Sequence, residues 1–239
     1  MTTWPAAPAE LPALDRTVHV WAVRLDDPSV DLDGGRELLS PEERERAARF
    51  HFEQHRRHYL IAHIALHKVL AGYLPVEPAQ LYFELGGNGK PKLPQALAPS
   101  GLDFNLSHSN EMALIAVGRY GEIGVDIEYV KPDFQFQEIA ERFFTAQEVA
   151  AMRRLPPDLQ REAFFKCWTS KEAFLKAKGT GLSGKLDEVE ITFGAPNRVR
   201  IAAGVPGWTL SELAPVETYG SALVVAGPRL PIHCFHWQP

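Results

Sequence analysis

Cysteine is scarce in this 239-residue chain: only Cys167 and Cys234 are present, and no CxxC or Cys/His zinc spacing includes them. A disulfide framework is therefore excluded, and a reducing, cytosolic setting is expected. No stretch approaches the roughly 18 consecutive apolar residues needed to cross a bilayer, which argues against a membrane role. The first fifteen residues are broken by Pro5, Pro8 and Pro12 and lack a basic segment followed by an apolar one, so they do not read as a secretory signal. Basic charge is not in excess. Lys and Arg total 25 against 30 Asp and Glu, a net charge of −5, and the cations are scattered, which argues against a nucleic-acid surface. Low-complexity tracts and solenoid repeats are absent. A Walker A loop is missing as well: near Gly89-Lys90, Pro91 stands where Ser or Thr should follow the lysine, and Glu84 where the first glycine should be.

What is present is an ordinary globular composition, 45% hydrophobic and 23% charged. Alternation predicts a strand over 17–25. Ser40-Pro41-Glu42-Glu43 predicts a helix start, with Ser40 as N-cap, proline at the first helical position and Glu43 closing a capping box. A second helix is expected over 55–74, a strand over 81–85, a glycine loop over 86–89, and strands over 112–118 and 123–130. A second capping box, Thr145 to Glu148, precedes a long helix over 159–177, a Gly179-Thr180-Gly181 turn and several short strands between 189 and 237. Each half thus reads as strand, helices, glycine-rich turn, strands. The expected fold is α+β: two similar α/β halves in a pseudo-twofold arrangement, 1–118 and 119–239, with the active site at their interface.

Four features carry chemistry. In Gly124-Val125-Asp126-Ile127-Glu128, strand alternation puts both carboxylates on one face, where they repel unless a cation or solvent neutralises them. In Trp168-Thr169-Ser170-Lys171-Glu172-Ala173-Phe174-Leu175-Lys176, Glu172 and Lys176 are one helical turn apart, and Trp168 shares the face of Glu172. The bulk around them suits a pocket border as well as a surface ion pair. The Gly89-Lys90-Pro91 turn can bring backbone amides and a lysine close to a phosphate, though such turns are commonly turns alone. Phe104-Asn105-Leu106-Ser107-His108-Ser109 sets polar groups after a short apolar run.

In order and spacing these motifs resemble the phosphopantetheinyl transferase superfamily, in particular its Sfp-type, two-half members. The resemblance covers about residues 40–185, through GKP at 89–91, FNLSHS at 104–109, GVDIE at 124–128 and WTSKEAFLKAKGTGL at 168–182. It implies transfer of the 4′-phosphopantetheine arm of coenzyme A to a serine of an acyl or peptidyl carrier protein, with release of 3′,5′-ADP. It further implies a Mg²⁺ site (Mn²⁺ as a substitute) at Asp126, Glu128 and Glu172, with Glu172 as base and Glu128 its rival, and Lys176 on the reacting diphosphate. Coenzyme A contacts are implied at Arg46, Gly89, Lys90, Ser107, His108, Lys171 and Lys176. Two halves in one chain imply a monomer.

The sequence departs from the family pattern at Glu43, where some relatives have a second lysine, and in the histidine-rich helix carrying His55, His58, His63 and His67. His63 and His67, four apart, also admit a zinc site. From 131 to 166 the charges balance, so docking of the acidic carrier is expected to use apolar contact through Phe134 or Phe136. The competing functions are a Mg²⁺-dependent diphosphate hydrolase and a non-catalytic coenzyme-A- or carrier-binding module.

Overall fold

A computed structural model describes residues 4–86, 89–98, 101–119, 121–181, 186, 189–193, 201–203 and 205–239. The chain runs β1 (Val18–Arg24), α1 (Leu32–Arg36), α2 (Pro41–Ala48), α3 (Glu53–Ala71), β2 (Glu84–Leu85), β3 (Pro91–Lys92), β4 (Asp103–Ser109), β5 (Met112–Gly118) and β6 (Ile123–Tyr129). It continues with α4 (Gln137–Phe143), α5 (Ala146–Arg153), α6 (Pro157–Lys178), β7 (Ile191–Phe193), β8 (Ile201–Ala203), β9 (Trp208–Glu212), β10 (Tyr219–Ala226) and β11 (Ile232–His236). The α+β class expected from the sequence is what folds. Among the described residues, no helix is long and apolar enough to cross a membrane.

Both expected capping boxes form. Ser40 Oγ accepts the Glu43 N–H while Glu43 accepts the Ser40 N–H, and Thr145 and Glu148 exchange the same pair. Two short helices were not expected. In α1 the sequence Leu-Asp-Gly-Gly-Arg has no apolar period, but Asp31 caps it and Gly35 packs on α3, where a Cβ would meet Ile64 Cδ1 at 2.4 Å. The other, α4, lacks any side-chain cap. The strand expected over 81–85 shrinks to Glu84–Leu85, paired only with Pro91–Lys92. In the glycine loop, residues 87 and 88 lie outside the described residues, as does Leu182 at the end of the 168–182 motif.

Two sheets organise the core. One has the order β11-β1-β5-β4, with β11 parallel to β1; the other has the order β6-β10-β9. Apolar residues form three clusters. One joins α3 to β1 and β5 through Leu60, Ile64, Val23 and Ile115; one lies between the sheets, through Val20, Leu114, Val125 and Leu223; one joins α6 to β10 through Phe164, Phe174 and Val224. Every residue of β5 is buried, hence its unbroken apolar run.

The two sheets meet at β4 and β6 through side chains. Alternate residues of β4 reach β6: Asp103 Oδ2 accepts the Ile123 N–H at 3.1 Å, Asn105 Oδ1 the Val125 N–H at 2.8 Å, and Ser109 Oγ the Tyr129 N–H at 3.1 Å. Ser107, in the same alternation, donates to Asp126. Asp103 and the Asn105, Ser107 and Ser109 of FNLSHS thus form the seam between the two sheets. Position 119 lies between β5 and β6, and β11 crosses back over it to pair with β1.

Candidate active site

Gly124 assembles the site. A Cβ there would stand 2.1 Å from the Ala173 carbonyl oxygen and 2.3 Å from the Ala177 nitrogen, so only glycine lets β6 lie backbone-on-backbone against α6. That approach sets Glu172 and Lys176, which flank the contact on α6, beside Asp126, two residues along β6. A cavity of about 350 Å³ results, lined by Ser107, His108, Asp126, Glu128, Trp168, Glu172 and Lys176.

Lys176 Nζ donates to Asp126 Oδ1 and to Ser107 Oγ, each at 2.6 Å, and Ser107 Oγ donates to the same Asp126 oxygen at 2.8 Å. The other oxygen, Asp126 Oδ2, is buried without a hydrogen-bond partner, and so is Glu172 Oε1. Unpaired buried carboxylate oxygens are costly, and a pair on one cavity is the donor set a hard cation satisfies. Glu128 accepts from Ser109 Oγ at 2.7 Å. Among the described residues no group of three or more His, Cys, Asp or Glu side chains is arranged to hold a metal ion. The cavity offers an open, partial donor set instead.

Burial, reinforced by the Asp126 charge and opposed by Lys176, pushes the Glu172 carboxyl up to about 7. Glu128 is raised for the same first reason, against the pull of its Ser109 hydrogen bond. His108 keeps an open edge to solvent, yet its crowded wall and then Lys176 hold the imidazole below its ordinary range. His108 therefore faces the cavity as a neutral ring.

A second cavity, about 220 Å³, shares Leu106 and Lys176 with the first and continues to Gly89, Lys90 and Gly179. The left-handed Gly179 (φ 64°) ends α6 here and brings the Gly89-Lys90-Pro91 turn alongside. Lys90 Nζ, however, is engaged in the seam: it donates to Asp103 Oδ2 at 3.1 Å and to the Ile123 carbonyl at 2.8 Å. Arg46 is exposed on α2, with its guanidinium 5.7 Å from the centre of the Tyr59 ring.

Three expectations are corrected. Lys171 does not reach the cleft. It points away from the cavity that Glu172 lines, fully buried, with Nζ 2.8 Å from Glu148 Oε1 and donating to the carbonyls of Leu186 and Val189. Phe136 is 4% exposed and packed at a tilt against Phe164 in the α6 core, so it has no face for a partner, whereas Phe134 is half-buried against Phe164 and Phe165. The zinc reading of His63 and His67 fails, because both rings turn onto Glu43, at 2.6 and 2.9 Å. Asp103 was not named from the sequence, and Asn105, Ser109 and Glu148 were named only within their motifs, without the bonds they make across the seam or to Lys171. Period-2 polarity in 103–109 and the second capping box were the available signals.

Two family models divide the chain: one described as the 4′-phosphopantetheinyl transferase superfamily matches residues 122–221, and one described as 4′-phosphopantetheinyl transferase, N-terminal, matches 29–119. The 4′-phosphopantetheinyl transferase HetI of Nostoc sp. is 40% identical over 99% of this chain and 96% of its own length. A 4′-phosphopantetheinyl transferase of Bacillus subtilis is 32% identical over 77% of this chain and 80% of its own. The 4′-phosphopantetheinyl transferase Sfp of Bacillus subtilis strain 168 is 29% identical over the same shares, 77% and 80%.

Proposed function

The chain belongs to the 4′-phosphopantetheinyl transferase superfamily, and we infer that its β6–α6 cleft moves phosphopantetheine from coenzyme A to the serine hydroxyl of a carrier protein. One observation carries this reading: Asp126, Glu128, Glu172, Lys176, Ser107 and His108, drawn from three motifs, line a single cavity with two unpaired buried carboxylate oxygens.

In the proposed reaction the serine Oγ attacks the β-phosphorus of coenzyme A, and the bond from that phosphorus to the bridging oxygen breaks, releasing 3′,5′-ADP. Glu172 takes the serine proton; its unpaired Oε1 and a carboxyl poised near neutrality suit it to that step better than Glu128, whose Oε2 already accepts from Ser109. Lys176, held at the cavity by Asp126 and Ser107, offsets negative charge gathering on the diphosphate. Ser107 and neutral His108 supply hydrogen-bonding groups along the wall toward the nucleotide. Asp126 and Glu172, with Glu128 beside them, are the side chains that would hold Mg²⁺, or Mn²⁺ in its place. When bound, the cation neutralises diphosphate charge and stabilises the leaving group.

Two similar halves, 1–118 and 119–239, with the cleft between them remain the preferred architecture, and a monomer the preferred state. Support comes from one device repeated in each half. Glu43 and Glu148 close capping boxes on short helices, are buried, and grip a basic side chain of the next long helix, His67 and Lys171 respectively. A cytosolic location accords with two unpaired cysteines. Carrier docking is assigned to the half-exposed rim at Phe134.

Mass spectrometry of an apo carrier protein incubated with this protein, coenzyme A and Mg²⁺ tests the function. A gain of one phosphopantetheine on serine is expected. Coenzyme A cleaved with the carrier unmodified would favour the diphosphate hydrolase instead.

A further inference from the structure

One face of β4 presents Asp103, Asn105, Ser107 and Ser109 in turn, and each of them meets β6. Asp103 and Asn105 give oxygens to the backbone N–H groups of Ile123 and Val125. The two serines differ, because a hydroxyl that accepts one hydrogen bond still has a proton to donate. Ser107 Oγ accepts from Lys176 Nζ at 2.6 Å and hands its own proton to Asp126 Oδ1 at 2.8 Å. Ser109 Oγ accepts the Tyr129 N–H at 3.1 Å and hands its proton to Glu128 Oε2 at 2.7 Å.

The result is two rungs of the same build. Each joins a serine of β4 to a carboxylate of β6, and on both strands the rung residues are two apart, on one face. Each rung commits one carboxylate oxygen. Asp126 Oδ2 is left buried without a partner, and Glu128 has only Oε1 left for a ligand in the cavity it lines. The first rung is shut in by its surroundings, with Ser107 5% and Asp126 3% exposed, and it has Lys176 as a further anchor. The second rung is held by Ser109, the one hydrogen-bond partner of the Glu128 side chain among the described residues. A carboxylate with one oxygen committed meets a cation through the other alone. Mg²⁺ takes carboxylates in that manner and tolerates little departure from its preferred shell, whereas Ca²⁺ accepts one oxygen or both and adapts to a larger one.

We propose that Ser109 is a positioning residue whose hydroxyl holds Glu128 to a single free oxygen, and that it thereby biases the β6–α6 cleft toward Mg²⁺ over Ca²⁺. This rests on the transferase reading above and on the metal ligands named there. The side-chain type follows from the task. A hydroxyl is short, is fixed in direction by the Tyr129 N–H, and has one proton, so it can restrain one oxygen and no more. Without it, Glu128 regains the rotamers of a half-exposed chain and can offer both oxygens, which suits the larger ion.

Isothermal titration of MgCl₂ and of CaCl₂ into the full-length protein, in excess coenzyme A and without carrier, reads the two affinities directly. Ser109→Ala should weaken Mg²⁺ binding about tenfold and Ca²⁺ binding less than about twofold. Ser109→Thr, which keeps the hydroxyl, should bind both ions as wild type does. In a Glu128→Ala background the Ser109→Ala change should add little, since the hydroxyl acts through that carboxylate. Equal weakening of both ions, a threonine variant as weak as alanine, or full additivity with Glu128→Ala would overturn the proposal. Ser109 would then be a seam residue that serves the Tyr129 N–H alone. Wild-type protein that takes up no Mg²⁺ would overturn it together with the metal ligands. Wild-type protein that binds Mg²⁺, with the variants behaving as stated, yet loads no carrier would support the proposal and remove the transferase reading.

Discussion

Lys176 Nζ lies 2.6 Å from Asp126 Oδ1 while Asp126 Oδ2, on the same carboxylate, has no partner. One oxygen is thus committed within the protein and the other is aimed at something the protein does not supply. Asp126→Asn and Glu172→Gln should each cut kcat by about 10²–10³, the scale of losing a preorganised charge-stabilising group. EDTA should abolish carrier loading and added Mg²⁺ restore it. Full turnover by Asp126→Asn would refute the metal assignment.

Lys171 and Lys176, five residues apart on α6, should separate stability from catalysis. Lys171→Ala leaves the buried Glu148 carboxylate without its cation, at a cost of about 3–5 kcal/mol and a fall in Tm of roughly 6–20 °C. Lys176→Ala opens onto the cavity, where solvent and the Ser107 hydroxyl still serve the buried Asp126, so its Tm should fall less than that of Lys171→Ala while kcat falls. Thermal melts alongside carrier-loading kinetics decide this; matching profiles for the two variants would contradict it.

Glu172 gives a pH signature in metal-free protein. The folded state holds its proton up to about pH 7, whereas the unfolded chain releases it near 4.5. Within that window the folded state binds the extra proton, so this group lowers stability as pH rises. Glu172→Gln should therefore melt above wild type at pH 8, and the gap should close below pH 4.5. A gap independent of pH would mean that burial does not act on this carboxyl as described.

Gly124→Ala should force β6 and α6 apart, since the added carbon meets helix backbone, which has no rotamer to yield. Loss of both activity and thermal stability is expected. A variant that melts normally would show that the two backbones do not touch.

Phe136→Ala should cost about 3–5 kcal/mol as a core truncation. Phe134→Ala should instead raise KM for the carrier while leaving that for coenzyme A nearly unchanged. Normal carrier loading by Phe134→Ala would move the docking surface elsewhere.

Much of the site was legible because its motifs obey short-range rules. The two-residue spacing of Asp126 and Glu128, the one-turn spacing of Glu172 and Lys176, and both capping boxes follow from local geometry alone. Lys171 was misread because residues adjacent in a helix do not share a face, and its burial depends on α5, which only tertiary packing brings there. The Lys90 ion pair with Asp103 was not legible, because nothing local reveals Asp103 across the seam. Phe136 followed a proline and looked exposed; the helix that covers it starts twenty-one residues later.

The parallel pairing of β11 with β1 bears on how the chain reaches this structure. Val18 meets Ile232 across a loop of roughly two hundred residues, so β1 cannot gain that neighbour until almost everything else has been synthesised. Until then its flank is an open template for other chains, and slow growth of the nascent protein exposes it longest. Shortening the chain before Ile232 should for that reason lower soluble yield more than it lowers the specific activity of whatever survives.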